Sequence, residues 1–299
     1  MNGWAALGLF YALALAVVCG VMVYAGRVQA ARPETRRVFA EMFSWLDGRN
    51  TYPNAVSIAR FCREQRLATV IIVFAAAPSI AALAAAAFGS GVADFGSLMH
   101  RLAPWYERDA EAALATYAVI VATFVVVSVV YLRVAVRFPV EPTPALLREV
   151  RPVQRWSRIV GGMFVDEGGS LEELGWRGFA LPVLVATTGS LWWPTLLLAA
   201  AWWAWHLPRE VPALLHKPKW KRFVTTQAQF VLLCVALSGL MTVAWQHTGS
   251  VWPAVMIHGG TNVWSKALSA SMWERTKRDV RTYIVVGLAV VVVGVQIAV

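Results

Sequence analysis

The sequence predicts an all-α polytopic membrane protein, with about eight transmembrane helices around a polar intramembrane cavity. Three observations predict it. Of 299 residues, 58% are apolar and only 15% charged, where a soluble domain carries about 25% charge. Several apolar runs reach the roughly 18 residues that a hydrocarbon core of about 30 Å requires. Basic residues alternate between the loops that join these runs, as loops on opposite sides of a membrane do.

In chain order the apolar spans fall at 3–23, 68–88, 112–131, 191–206, 225–245, 251–267 and 283–299, with a less regular eighth at 159–188. The first has no basic flank before it and exceeds a signal-peptide core, so it reads as a retained span despite the small-residue stretch Val28-Gln29-Ala30. Between spans, segments 26–67, 132–158, 207–224 and 265–282 hold eight, six, five and five Lys or Arg, against two in 91–111 and none in 246–250. The rich segments therefore face the cytoplasm and both termini face outward. The net charge of +10 is thus a topology signal, and no nucleic-acid partner is expected from it. In 35–46, Val38, Phe39, Met42, Phe43 and Leu46 recur at helical spacing beside Arg36 and Arg37, which suits a helix on the inner membrane surface. Trp105, Trp156, Trp192, Trp193, Trp245 and Trp252 near span ends read as an interfacial belt. Cys19, Cys62 and Cys234 sit in spans or a cytoplasmic loop, so no disulfide framework is indicated. The chain divides into a three-span region with a cytoplasmic amphipathic loop (1–157), a core (158–270) and a C-terminal loop with the last span (271–299).

The fourth span carries charges that an apolar setting penalises by about 2.5–3.5 kcal/mol each unless they pair or line a cavity. It holds Asp166, Glu167, Glu172, Glu173 and Arg177. Asp166 and Glu167 precede Gly168-Gly169 at a membrane edge or break and are given no chemistry. Glu173 and Arg177 stand at i, i+4 with the acid first, the favourable order for an ion pair. Glu172, about 100° round the helix, is left without that partner and available as a base. Ser170 and Glu173 also fit a capping box, which would start the helix at Ser170; the two schemes compete for Glu173. Trp202 and His206 share one face of the fifth span, and His258 and Asn262 one face of the seventh. A lone membrane histidine is usually a packing residue, but an unpaired glutamate and an asparagine in the same membrane weaken that reading. Gly259 and Gly260 would let another backbone or a substrate come close.

These three motifs resemble those of the CAAX protease and bacteriocin-processing family, also called the CPBP or Abi family of intramembrane proteases. Its pattern is Glu-Glu-x-x-x-Arg, Phe-x-x-x-His and His-x-x-x-Asn on successive transmembrane helices. Here the motifs read Glu172-Glu173…Arg177, Trp202…His206 and His258…Asn262, and the resemblance covers roughly residues 158–270. One position departs: Trp202 replaces the phenylalanine of the second motif. The resemblance implies that Glu172 and His206 activate water for attack on a peptide carbonyl, while His258 and Asn262 form an oxyanion hole. Glu173, Arg177 and Trp202 would support them. It also implies an integral, multi-pass protein of the cell membrane that needs no cofactor or metal. Its partners would be peptide or protein substrates, with or without a lipid group, and membrane lipid. Eukaryotic members cut after a prenylated cysteine near a C-terminus.

Rival chemistries are a zinc protease using Glu172, His206 and His258, a serine protease using Ser238 with His258 as base, and a transporter, for which no repeated halves are visible. A non-catalytic scaffold or bacteriocin-immunity protein of the same fold is the alternative outside catalysis. Depth sets one further expectation. His206 ends the fifth span, whereas His258 is only about 10 Å into the seventh from the opposite side. The two meet only if the link 247–250 is sunk into the protein, where its glycine and small polar groups suit buried backbone.

Overall fold

A computed structural model of the chain describes residues 1–31, 69–137, 166–216 and 220–269, and the single positions 63, 161, 163, 164 and 287. The surface helix expected at 35–46, most of loop 132–158 and all but one position of the last span lie outside these residues. Among the described residues the regular elements are all helical. They are α1 (Gly3–Ala31), α2 (Thr69–Ala86), a 3-10 turn (Gly91–Ala93), α3 (Phe95–His100), α4 (Ala110–Arg137), α5 (Glu167–Glu173), a π-helical segment (Leu174–Ala180), α6 (Leu181–Thr188), α7 (Trp192–His216), α8 (Trp220–Thr248) and α9 (Trp252–Ser269).

Among the described residues, two helices contain a stretch long and apolar enough to cross a membrane, Gly3–Val28 and Phe223–Thr248; Ile72–Ala86 and Ala110–Val126 are apolar but shorter. In α1 the buried side chains Ala6, Phe10, Ala14 and Val18 recur every four residues; α1 packs on α2, whose Ala77, Ala81 and Ala85 belong to the same core. Small side chains on both helices allow close approach, the usual device where no hydrophobic drive separates helix from surroundings. Trp4, Leu15, Val23 and Tyr24 of α1 and Val119, Val121, Val125 and Val126 of α4 are exposed instead. Helices that are apolar all round suit a lipid surround and would be a liability in water.

The stretch expected as an irregular fourth span forms a rod of α5, the π segment and α6. Trp176, Arg177, Phe179 and Leu181 on it are all buried. Leu181 N–H donates to the Trp176 carbonyl five residues back, the signature of the wider π turn. Gly175 is pressed against the backbone of Pro78 in α2, where a Cβ would find no room. The adjacent Ser79 hydroxyl donates to the Leu171 carbonyl (2.5 Å) and ties α2 to α5.

The loop after α3 folds inward. Arg101 is buried and donates to the carbonyls of Gly178 (3.0 Å) and Val92 (2.8 Å), so it staples the loop to the rod rather than marking a membrane side. Burial pushes its guanidinium down to about 10, which leaves it charged at neutral pH. The same loop receives the α8–α9 link. Tyr106 N donates to Thr248 O (2.7 Å), Val251 N to Arg101 O (3.0 Å), the Ser250 hydroxyl to Ala103 O (2.6 Å) and the Trp252 indole to Leu102 O (2.7 Å). Thr248 and Ser250 are fully buried. Gly249 adopts φ +63° with its α-carbon against the Tyr106 carbonyl, a place that only glycine occupies without strain. The link is therefore sunk in protein, as the depth of His258 required. Of the tryptophans read as a belt, Trp105 and Trp193 are exposed, whereas Trp245 is buried and belongs to the core.

Candidate active site

The site starts at the N-terminus of α5. Asp166 caps it, accepting from the N–H groups of Gly168 (3.1 Å) and Gly169 (3.2 Å). The helix thus begins at Glu167 and not at Ser170. No Ser170–Glu173 capping box forms, because the Ser170 hydroxyl donates to Phe164 O (2.8 Å) while Glu173 turns into the interior. The aspartate wins because it satisfies two orphan donors at the helix end and leaves Glu173 for buried cations.

Glycines then set the crossing of α5 on α9. A Cβ on Gly169 would lie 2.8 Å from the Val255 carbonyl and 3.0 Å from Gly259 N; one on Gly168 would lie 2.7 Å from His258 Nε2 and 2.9 Å from Asn262 Nδ2. Backbone therefore meets backbone at Gly169 and Gly259, and the motif histidine and asparagine lie directly on α5. Gly260 is covered by the Phe124 ring, not by backbone.

Glu173 is completely buried and serves two groups. Arg177 Nη1 donates to both of its oxygens (3.0 and 2.9 Å), so the i, i+4 pair forms as the spacing predicts. His258 Nδ1 sits 2.7 Å from Glu173 Oε1. A carboxylate accepts, so Nδ1 carries the hydrogen and Nε2 is turned toward Gly168 and Asn262. Arg177 Nη2 donates to the Ser238 hydroxyl (2.7 Å). Ser238, the nucleophile of the serine-protease reading, is thus a partner of the buried guanidinium.

Glu172 is buried too, and the Trp202 indole N–H donates to its Oε2 (2.8 Å). It is not left without a partner, as the sequence had implied. The Trp202 ring lies under the Arg177 guanidinium (4.7 Å) and meets His258 and His206 edge-on, with centroids 4.9 and 5.9 Å apart. His206 Nδ1 is 2.7 Å from the Trp202 carbonyl, so that nitrogen donates and Nε2 bears the lone pair of the neutral ring. Glu172, His206, His258 and Arg177 are thus gathered around one indole. Asn262 Nδ2 donates to Asp166 Oδ2 (2.7 Å), which leaves the second amide hydrogen for another acceptor.

Every residue singled out in the three motifs joins this cluster. The sequence reading missed three contributions: Asp166 on Asn262, Gly168 as the cradle for His258, and Ser238 as the acceptor behind Arg177. Asp166 had a readable signal, since an aspartate two residues before a Gly-Gly pair at a helix start is an N-cap pattern. The zinc alternative needs three ligands on one ion. Among the described residues no three His, Cys, Asp or Glu side chains are grouped to hold one.

Residues 156–264 match the family model described as type II CAAX prenyl endopeptidase, Rce1-like. All of the motif residues from Glu172 to Asn262 fall within the matched stretch. Among curated proteins nothing matches the chain.

Proposed function

We propose that this protein is a multi-pass intramembrane endopeptidase of the CAAX type, with residues 158–270 as its catalytic core. The observation that carries the reading is the convergence of Glu172, His206 and His258 around Trp202, with Asn262 held by Asp166 and lying with His258 against Gly168, inside a bundle whose outer surface is apolar. Glu172 and the His206 Nε2 take a proton from a water whose oxygen attacks the peptide carbonyl carbon. The carbonyl oxygen becomes an oxyanion facing the second Asn262 amide hydrogen and His258 Nε2. Since Nδ1–H of His258 is engaged by Glu173, Nε2 donates only from the imidazolium, with Glu173 as its counter-charge. Collapse of the tetrahedral species breaks the C–N bond, and the leaving amine takes the proton held by the base. No step needs a metal ion.

The natural substrate is a peptide or protein segment that reaches the membrane interior, and the family match favours one carrying a prenylated cysteine. The test is purified protein in lipid vesicles with an internally quenched farnesylated CAAX peptide and its unprenylated counterpart. We expect cleavage after the cysteine, faster with the prenyl group and unchanged by a zinc chelator. No cleavage of either peptide would favour the non-catalytic scaffold, and chelator-sensitive activity restored by zinc would make the zinc reading correct.

The same reading places eight spans in the cell membrane with both termini outside, on the alternation of basic loops. Single cysteines at Arg49 and Lys219 should react with a membrane-impermeant thiol reagent only from the cytoplasmic side. Reaction of either from outside would overturn the topology.

A further inference from the structure

We infer that Trp202 is a positioning residue for both water-activating groups, and that its indole N–H is the part that holds Glu172. The inference rests on Glu172 and His206 acting as the base. The family pattern has phenylalanine at this position, which offers a ring but no donor. Here the indole N–H meets Glu172 Oε2 at 2.8 Å. A buried carboxylate with no hydrogen bond is costly and loosely oriented, and this donor fixes one oxygen so that the other is presented to the water.

The donor is itself held in place. Trp202 is only 3% exposed, with the Arg177 guanidinium against its ring and the edges of both imidazoles beside it. Its own carbonyl accepts from His206 Nδ1 one helical turn on (2.7 Å), which sets the tautomer that leaves Nε2 able to take a proton. Side chain and backbone of one residue thus orient the two halves of the base. The carbonyl arm works with any residue at 202, whereas the indole arm requires tryptophan. Preorganisation of this kind acts on the rate of the chemical step more than on binding of the substrate.

The test replaces Trp202 with β-(3-benzothienyl)alanine, which keeps the bicyclic shape and puts sulfur where the N–H was. With the farnesylated quenched peptide as probe, kcat should fall about 10- to 100-fold, the range for one hydrogen bond to a charged group, with KM and the unfolding temperature unchanged. Trp202→Phe should lose at least as much kcat. A substrate-free arm compares ultraviolet resonance Raman spectra of wild type and Glu172→Ala, in which the signal of one strongly hydrogen-bonded indole should disappear. Should the analogue protein fail to fold, Trp202→Phe and the Raman difference decide the matter. Full kcat in the analogue, a rise in KM alone, or identical Raman spectra would overturn the inference. Such a result with Glu172→Gln inactive would leave the proposed function standing, whereas an active Glu172→Gln would remove the base itself and both readings with it.

Discussion

Glu173→Gln should lower the stability of the protein by about 3–5 kcal/mol, the usual cost of removing one partner from a buried ion pair. The side chain is fully buried, receives two hydrogen bonds from Arg177 and one from His258, and the guanidinium it neutralises is itself only 1% exposed. Glutamine keeps the shape but leaves the Arg177 charge facing a neutral amide, beside the Ser238 hydroxyl and the Trp202 ring. The measurement is thermal unfolding in detergent, read by scattering or intrinsic fluorescence. Activity should fall as well, because His258 loses the carboxylate that fixes its ring. The i, i+4 spacing pointed to the Arg177 contact alone; the His258 contact gives this glutamate a second buried partner. An unfolding temperature equal to wild type would show that the pair is not structural.

Glu172→Gln should behave in the opposite way. General-base catalysis contributes roughly 10²–10⁴ in rate, so kcat should drop by at least that range. The unfolding temperature should stay close to wild type, because the amide oxygen can still accept from the Trp202 indole that now meets Oε2. Kinetics on the quenched peptide and the same thermal scan give both readings. Two adjacent glutamates that lose activity and stability equally would contradict the division of roles.

Much of the site is legible along the chain because it is written in helical spacing. Glu173 with Arg177, Trp202 with His206, and His258 with Asn262 are each four residues apart, so every pair shares a helix face whatever the fold. Ionisable groups within apolar runs also announce themselves, since the surrounding medium makes an idle charge expensive. The helical class, the seven motif residues and the buried 247–250 link follow from such local or depth arguments. That link is the one place where a mismatch between two spans was enough to require a tertiary feature, and its burial against loop 101–106 supplies it.

Contacts between helices follow a different logic. Whether Glu173 caps its own helix or faces Arg177 depends on competition at the helix start, and Asp166 settles it from outside the motif. Arg101 looks like any loop charge until its carbonyl partners at Val92 and Gly178 are seen. Asp166 reaches Asn262 ninety-six positions away, and Trp202 reaches Glu172 at a separation of thirty. Periodicity along one helix carries no record of which face of another helix it will meet. That is set by crossing geometry, here by Gly168 and Gly169, which remove the side chains that would hold α5 and α9 apart. Residue types and spacing along the chain therefore single out the candidate groups, and the close approach of helices specifies which hydrogen bond each one makes.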